Sequence, residues 1–121
     1  VQKIRAFSPG IGGNPPCLIV FCLDSQRLPV MRNGTIDRTC GIIDLAMAAE
    51  NMMLAAHALG LGSCWIHRAK EEFERPEGKQ ILKELGIEGD YEGIGHCVLG
   101  YPAAEGKKNA PRKAGRVYHI G

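Results

Sequence analysis

The sequence carries almost no excess charge. Fifteen Lys and Arg face thirteen Asp and Glu, leaving a formal net charge of +2, and that excludes any general affinity for polyanions. The one basic concentration, Lys107, Lys108, Arg112, Lys113 and Arg116, holds no interleaved aromatic residue, so nucleic-acid binding has no support. Paired cysteines are missing too. Cys17, Cys22, Cys40, Cys64 and Cys97 are odd in number and form no CxxC. They read as free thiols of a reducing cytoplasm, and all but Cys40 sit in apolar runs as small hydrophobes. No GxSxG is present, because Ser63 lies in GLGSCW, so a hydrolase nucleophile elbow is excluded. The glycine clusters Gly10 to Gly13 and Gly60 to Gly62 precede a strand and follow a helix respectively, the reverse of the dinucleotide-binding order. There is no internal repeat and no low-complexity tract.

Two tempting constellations weaken for similar reasons. Cys64, His67, His96 and Cys97 are zinc-ligand types, but neighbours in a strand such as His96 and Cys97 point to opposite faces. No metal site is expected. Cys64 or Ser63 beside His67 or His57 lacks the setting of an activated nucleophile.

What the sequence does have is a long apolar helix. Apart from Asp44, Glu50, Asn51 and His57, every residue from Ile42 to Leu59 is Ala, Met, Leu or Ile. At about 100° per residue the exceptions fall on two narrow lines. A helix apolar nearly all round is expected to be buried on several sides, more than one core of 121 residues covers, and so to pack on a partner as well. Two acidic groups in mid-helix argue against a membrane span. Asp37 or Thr39 is the expected N-cap, and Gly60 and Gly62 the stop.

Around this helix the expected elements alternate. Val1 to Phe7 reads as the tail of a helix already under way, and Ser8 to Pro16 as a loop. Cys17 to Asp24, CLIVFCLD, reads as a strand covered on both faces. Ser25 to Gly41 is a surface excursion. Ser63 to Ile66 is a short strand, Glu71 to Phe73 a helical turn, and Pro76 opens a helix whose face is Ile81, Leu82 and Leu85, closed by Gly86. A third strand centres on Ile94 to Tyr101. The tail from Ala103 is basic, with an apolar end at Val117 to Ile120. One domain over residues 1–121 of α/β or α+β architecture follows.

AAENMMLAAHALGLGSCWI, a Lys/Glu-rich helix, EGIGHCVLGYP and then APRK, in that order, resemble the nitroreductase family of FMN-dependent flavoproteins, over Pro16 to Lys113. The resemblance implies an α+β nitroreductase-like fold with a mostly antiparallel sheet packed by helices. It implies an intertwined homodimer with the long helix at the interface and FMN between the subunits. It implies transfer of a hydride from NAD(P)H through the flavin to a nitroaromatic, a quinone or a similar small-molecule acceptor, with no side chain as nucleophile. The segment that lines the flavin ring maps onto Trp65, Ile66, His67 and Arg68, with Ser63 and Cys64 just before. The basic segment that holds the flavin phosphate maps onto Arg112, with Lys113 beside it. The family's opening Arg-Ser-x-Arg helix has no counterpart here, so the sequence is expected to be the C-terminal two-thirds of such a domain. The alternative function class is a non-catalytic dimeric module that binds a flavin or another small ligand.

Overall fold

The computed structural model describes all residues, Val1–Gly121. Three strands form one antiparallel sheet: β1 (Cys17–Asp24), β2 (Gly62–Ile66) and β3 (Tyr91–Gly100), in the order β1-β3-β2. β3 is central and bonds on both sides. Cys17 lies opposite Leu99 and Asp24 opposite Tyr91, while Gly62 lies opposite Gly100 and Ile66 opposite His96. Phe21 faces Gly95 but Cys22 faces Gly93, so Ile94 is the extra residue of a bulge. The strand expected at Cys17 to Asp24 has those bounds, because its β-branched run ends at Asp24, whose carboxylate accepts the Gln26 N–H of a following 3-10 turn (3.0 Å).

Directly opposed residues share a face of the sheet. On one face stand Phe21 and Trp65, with ring centroids 5.6 Å apart. A side chain at Gly95 would run into the Trp65 ring, so the glycine is what lets the indole lie on β3. This face is covered by α2 (Arg38–Ala58). The helix begins four residues earlier than Ile42 because the Asp37 side chain accepts the Cys40 N–H (2.9 Å). Gly41 is thereby part of the helix. A Cβ there would sit 2.6 Å from Leu23 Cδ1, so the missing side chain admits close approach to β1. Gly60, at φ +74, ends the helix, and the Leu61 N–H returns to the Ala56 carbonyl (2.9 Å). Gly62 belongs to β2 and is not part of the stop.

Burial corrects one expectation. Only Gly41, Ala49 and Ala56 of α2 are buried, a single line seven or eight residues apart along the helix. Ile43 (51%), Met47 (61%) and Leu54 (58%) are open on the other side. Within one chain the helix has a single floor, the sheet, so burial on several sides is not achieved. By length and hydropathy alone α2 would also pass as a membrane span; it lies instead across the sheet, with Asp44 and Glu50 in mid-helix.

The opposite face carries α1 (Gln2–Arg5), α3 (Ala69–Phe73) and α4 (Pro76–Glu84). Leu18, Val20 and Cys22 of β1 meet Phe73, Ile81 and Leu82 around a wholly apolar cavity of about 460 Å3. Pro76 starts α4 and Gly86, at φ +68, follows its cap. Lys3 bonds Glu84 (2.5 Å) and joins α1 to α4. Residues 101–121 form no regular element and are exposed throughout, including the apolar end, Val117 to Ile120. Cys17 and Cys64 are exposed as well, against the expectation of apolar burial, because both lie on edge strands; Cys97 on the central strand is buried.

Candidate functional site

β2 is an edge strand, so one row of its N–H and C=O groups is left without a ladder partner. The residues leaving it diverge. Ser63 and Cys64 line a cleft of about 400 Å3 with Asn14, Pro16 and Tyr101. Trp65 turns inward onto Gly95 and Phe21. Ile66 lies against the N-terminal loop, where a Cβ on Gly10 would stand 3.0 Å from Ile66 Cγ2 and 3.6 Å from Arg68 Cγ. His67 and Arg68 open onto a second cleft of about 240 Å3, between Arg38 and Ile42 of α2 and Lys70 of α3.

This second cleft is electrostatically organised. Arg38 donates both ends of its fork to Glu92, one bond measuring 2.8 Å. Lys70 reaches Glu92 at 3.3 Å and also pairs with Glu74. The Arg38 hydrogen bond holds the Glu92 carboxyl below its ordinary range, and the same contact raises Arg38; Glu74 and Glu92 raise Lys70. Arg68 and His67 enter no ion pair, so their cationic and imidazole groups are free to meet a ligand. Burial pushes the Cys22 and Cys97 thiols up, which leaves them poor nucleophiles at neutral pH.

Arg112 and Lys113 are not brought to this edge. They line a separate open groove of about 370 Å3 with Arg116 and Val117, in the exposed tail. The tail groove gathers three cations, and the β2 edge is flanked by Arg68. Within one chain these two halves stand apart. The metal constellation is likewise dispersed: His96 faces Phe73, at 6.2 Å between ring centroids, while Cys97 pairs with Trp65.

Sequence reasoning passed over one cluster altogether. Ser8, Glu72 and His96 are 2%, 3% and 0% exposed. The Ser8 hydroxyl donates to Glu72 Oε1, and His96 Nε2 bonds Glu72 Oε2. His96 Nδ1 is buried without a protein partner. The available signals were slight: a His in an apolar strand, and a Glu just before Phe73.

Comparison with known proteins follows the same outline. The family model described as the Nitroreductase family matches residues 4–101. An FMN reductase (NADPH) of Bacillus subtilis (strain 168) is 28% identical over 137 aligned residues, covering 98% of this chain and 52% of that protein. A crystal structure of a nitroreductase with bound FMN from Bacteroides fragilis NCTC 9343 superimposes with a TM-score of 0.67 at 29% identity, over 88% of this chain and 52% of the other. An FMN-dependent nitroreductase of Clostridium difficile R20291 does so at 0.57 and 29% identity, over 80% and 51%. The chain thus spans about half the length of these relatives. With the motif order, the sheet with its long crossing helix and the family match all in agreement, the chain belongs to the nitroreductase family and has its α+β fold.

Proposed function

We propose that the protein is a cytoplasmic FMN-dependent oxidoreductase that works as a homodimer. The observation that carries the reading is its superposition on a nitroreductase with bound FMN over 88% of the chain. Bound FMN would supply the redox chemistry, moving a hydride's two electrons from NAD(P)H to a nitroaromatic, quinone or similar acceptor. The chain's own residues bind and orient. Along Trp65 to Ile66 the N–H groups that the β3 ladder leaves free would donate toward the ring and favour negative charge there, while the Arg68 N–H is taken by the Ile66 carbonyl (3.1 Å). Ser63 and Cys64, from the start of β2, would border the ring, and the Arg68 guanidinium would add positive charge. Arg112, with Lys113, would hold the phosphate through charge-assisted bonds, contributed by the second copy, since within one chain they stand apart from the β2 edge. No side chain acts as a nucleophile.

The exposed apolar face of α2, with Ile43, Met47 and Leu54, is the surface a second copy covers. Its burial would shield the cleft beside Ile42 from water and complete the packing that one sheet leaves open.

The test is direct. Purified protein is expected to be yellow, to lose flavin on denaturation and to oxidise NADH or NADPH with a quinone acceptor. Protein that stays colourless in added FMN and ignores both nicotinamides sinks the proposal. Arg112→Ala is expected to weaken FMN binding roughly ten- to a hundredfold, as for loss of a hydrogen bond to a charged group. Unchanged affinity removes the phosphate role.

A further inference from the structure

We infer that Ser8, Glu72 and His96 form a buried tether that positions Ile66 to Arg68, the segment read above as lining the flavin ring. The inference rests on that reading for its functional consequence and on geometry for its existence.

Glu72 is the hub. Its carboxylate receives the Ser8 hydroxyl from the N-terminal loop and His96 Nε2 from β3. Its backbone N–H donates to the Arg68 carbonyl (3.4 Å). Its carbonyl lies against Gly78 of α4, where a Cβ would overlap it. One residue therefore joins the loop, the central strand, α4 and the end of the ring-lining segment. The two outer anchors reach the same segment independently. His96 lies directly opposite Ile66 in the ladder. The Ser8 loop continues to Gly10, whose backbone sits against Ile66 and Arg68.

An ionised carboxylate accepts and never donates. Both donors must therefore come from Ser8 and from His96 Nε2–H. His96 Nδ1 has no protein acceptor in its buried setting, and an N–H there would be left unpaired at a cost. The arrangement therefore assigns a proton to His96 Nε2 and none to Nδ1. The Glu72 carboxyl group is held by two fixed partners, and a shift of any one member is felt at Ile66 to Arg68. These are positioning residues; none opens onto a cleft.

Three measurements on the full chain test the tether. The ¹⁵N spectrum of His96 is expected to show Nε2 protonated and Nδ1 bare; a proton on Nδ1 overturns the assignment. Ser8→Ala removes one small donor and is the variant chosen to stay folded. It is expected to speed amide exchange about tenfold at Ile66 to Arg68, the upper range for one hydrogen bond, while the α2 amides of Ala49 and Ala56 keep their protection. Glu72→Gln, which keeps the shape and replaces one acceptor oxygen with an NH2 donor, is expected to do the same. Unchanged exchange at Ile66 to Arg68 in both variants overturns the tether. With FMN bound, Ser8→Ala is expected to move the flavin midpoint potential to more negative values, ~30 mV for each tenfold loss of preference for the reduced ring. A potential that stays in place while exchange rises overturns the positioning role. If the parent chain takes up no FMN, the functional reading fails, and the exchange comparison still decides whether the tether exists.

Discussion

The longest helix and one of the shortest have exchanged the roles their compositions suggest. α2 is apolar nearly all round, yet only Gly41, Ala49 and Ala56 are buried. α3 reads AKEEF, and Ala69, Glu72 and Phe73 are all buried. The difference lies in what surrounds each. α2 has the sheet on one side and nothing on the other. α3 is enclosed by β3, α4 and the Ser8 loop, so even a carboxylate is drawn inside once two donors meet it. Apolar composition marks a helix that needs cover; it does not say that the cover belongs to the same chain.

The largest expected effect breaks the enclosed side. Glu72→Ala strands His96 Nε2 and the Ser8 hydroxyl in the interior and is expected to cost about 1–3 kcal/mol for each of these two donors left unsatisfied. Urea unfolding midpoints check it, and a loss under about 1 kcal/mol would mean that the cluster carries no weight.

A pair of glycines separates the two regions more finely. A Cβ at Gly93 would collide with the Ala69 carbonyl, a backbone atom, whereas one at Gly41 meets only the Leu23 and Leu28 side-chain ends. Gly93→Ala is expected to cost about 1–3 kcal/mol through forced backbone shifts. Gly41→Ala is expected to be far milder, because the side-chain adjustment is offset by a helix-propensity gain of up to ~1 kcal/mol. Equal losses in thermal melts would show that α2 is held as rigidly as α3.

Met47→Glu and Leu54→Glu address the open side. Both positions are exposed in the single chain, so its folding stability is expected to change by less than about 0.5 kcal/mol. The proposed dimer is expected to dissociate, as read by light scattering. Intact dimers in both variants would place the interface elsewhere.

The smallest effect is electrostatic. Arg38 lowers the Glu92 carboxyl below its ordinary 4.5. A carboxyl lowered in the folded state adds stability that is fully present above its ordinary value and fades as the pH falls through the folded one. Arg38→Ala is therefore expected to lower the unfolding midpoint slightly near neutral pH, with the gap from the parent protein closing in acid. A gap that widens in acid contradicts the pairing.

Much of this fold is legible along the chain because its signals are local. CLIVFCLD announces a strand, Asp37 caps the helix three residues on through Cys40, and Pro76 opens α4. The flavin family too is legible, from the order of several short motifs. The Ser8–Glu72 contact is not, since its members are 64 residues apart and Glu72 stands among Glu71 and Glu74, which point to water. The exposure of α2 is invisible for a different reason: periodicity records which sides are apolar, not what lies opposite them. Arg112 and Lys113 are recognisable as residue types, while their separation from β2 is a matter of how the tail runs.

The central place of β3 has a consequence for synthesis. β1 and β2 bond only to β3, and β3 is the last of these three strands to leave the ribosome. Until Tyr91 to Gly100 emerges, Phe21, Trp65 and the whole apolar surface of α2 have no sheet to join. Contacts such as Cys17 with Leu99 span most of the sequence, a topology that folds slowly. For the length of that delay the nascent chain displays its most adhesive helix, the exposure from which aggregation starts.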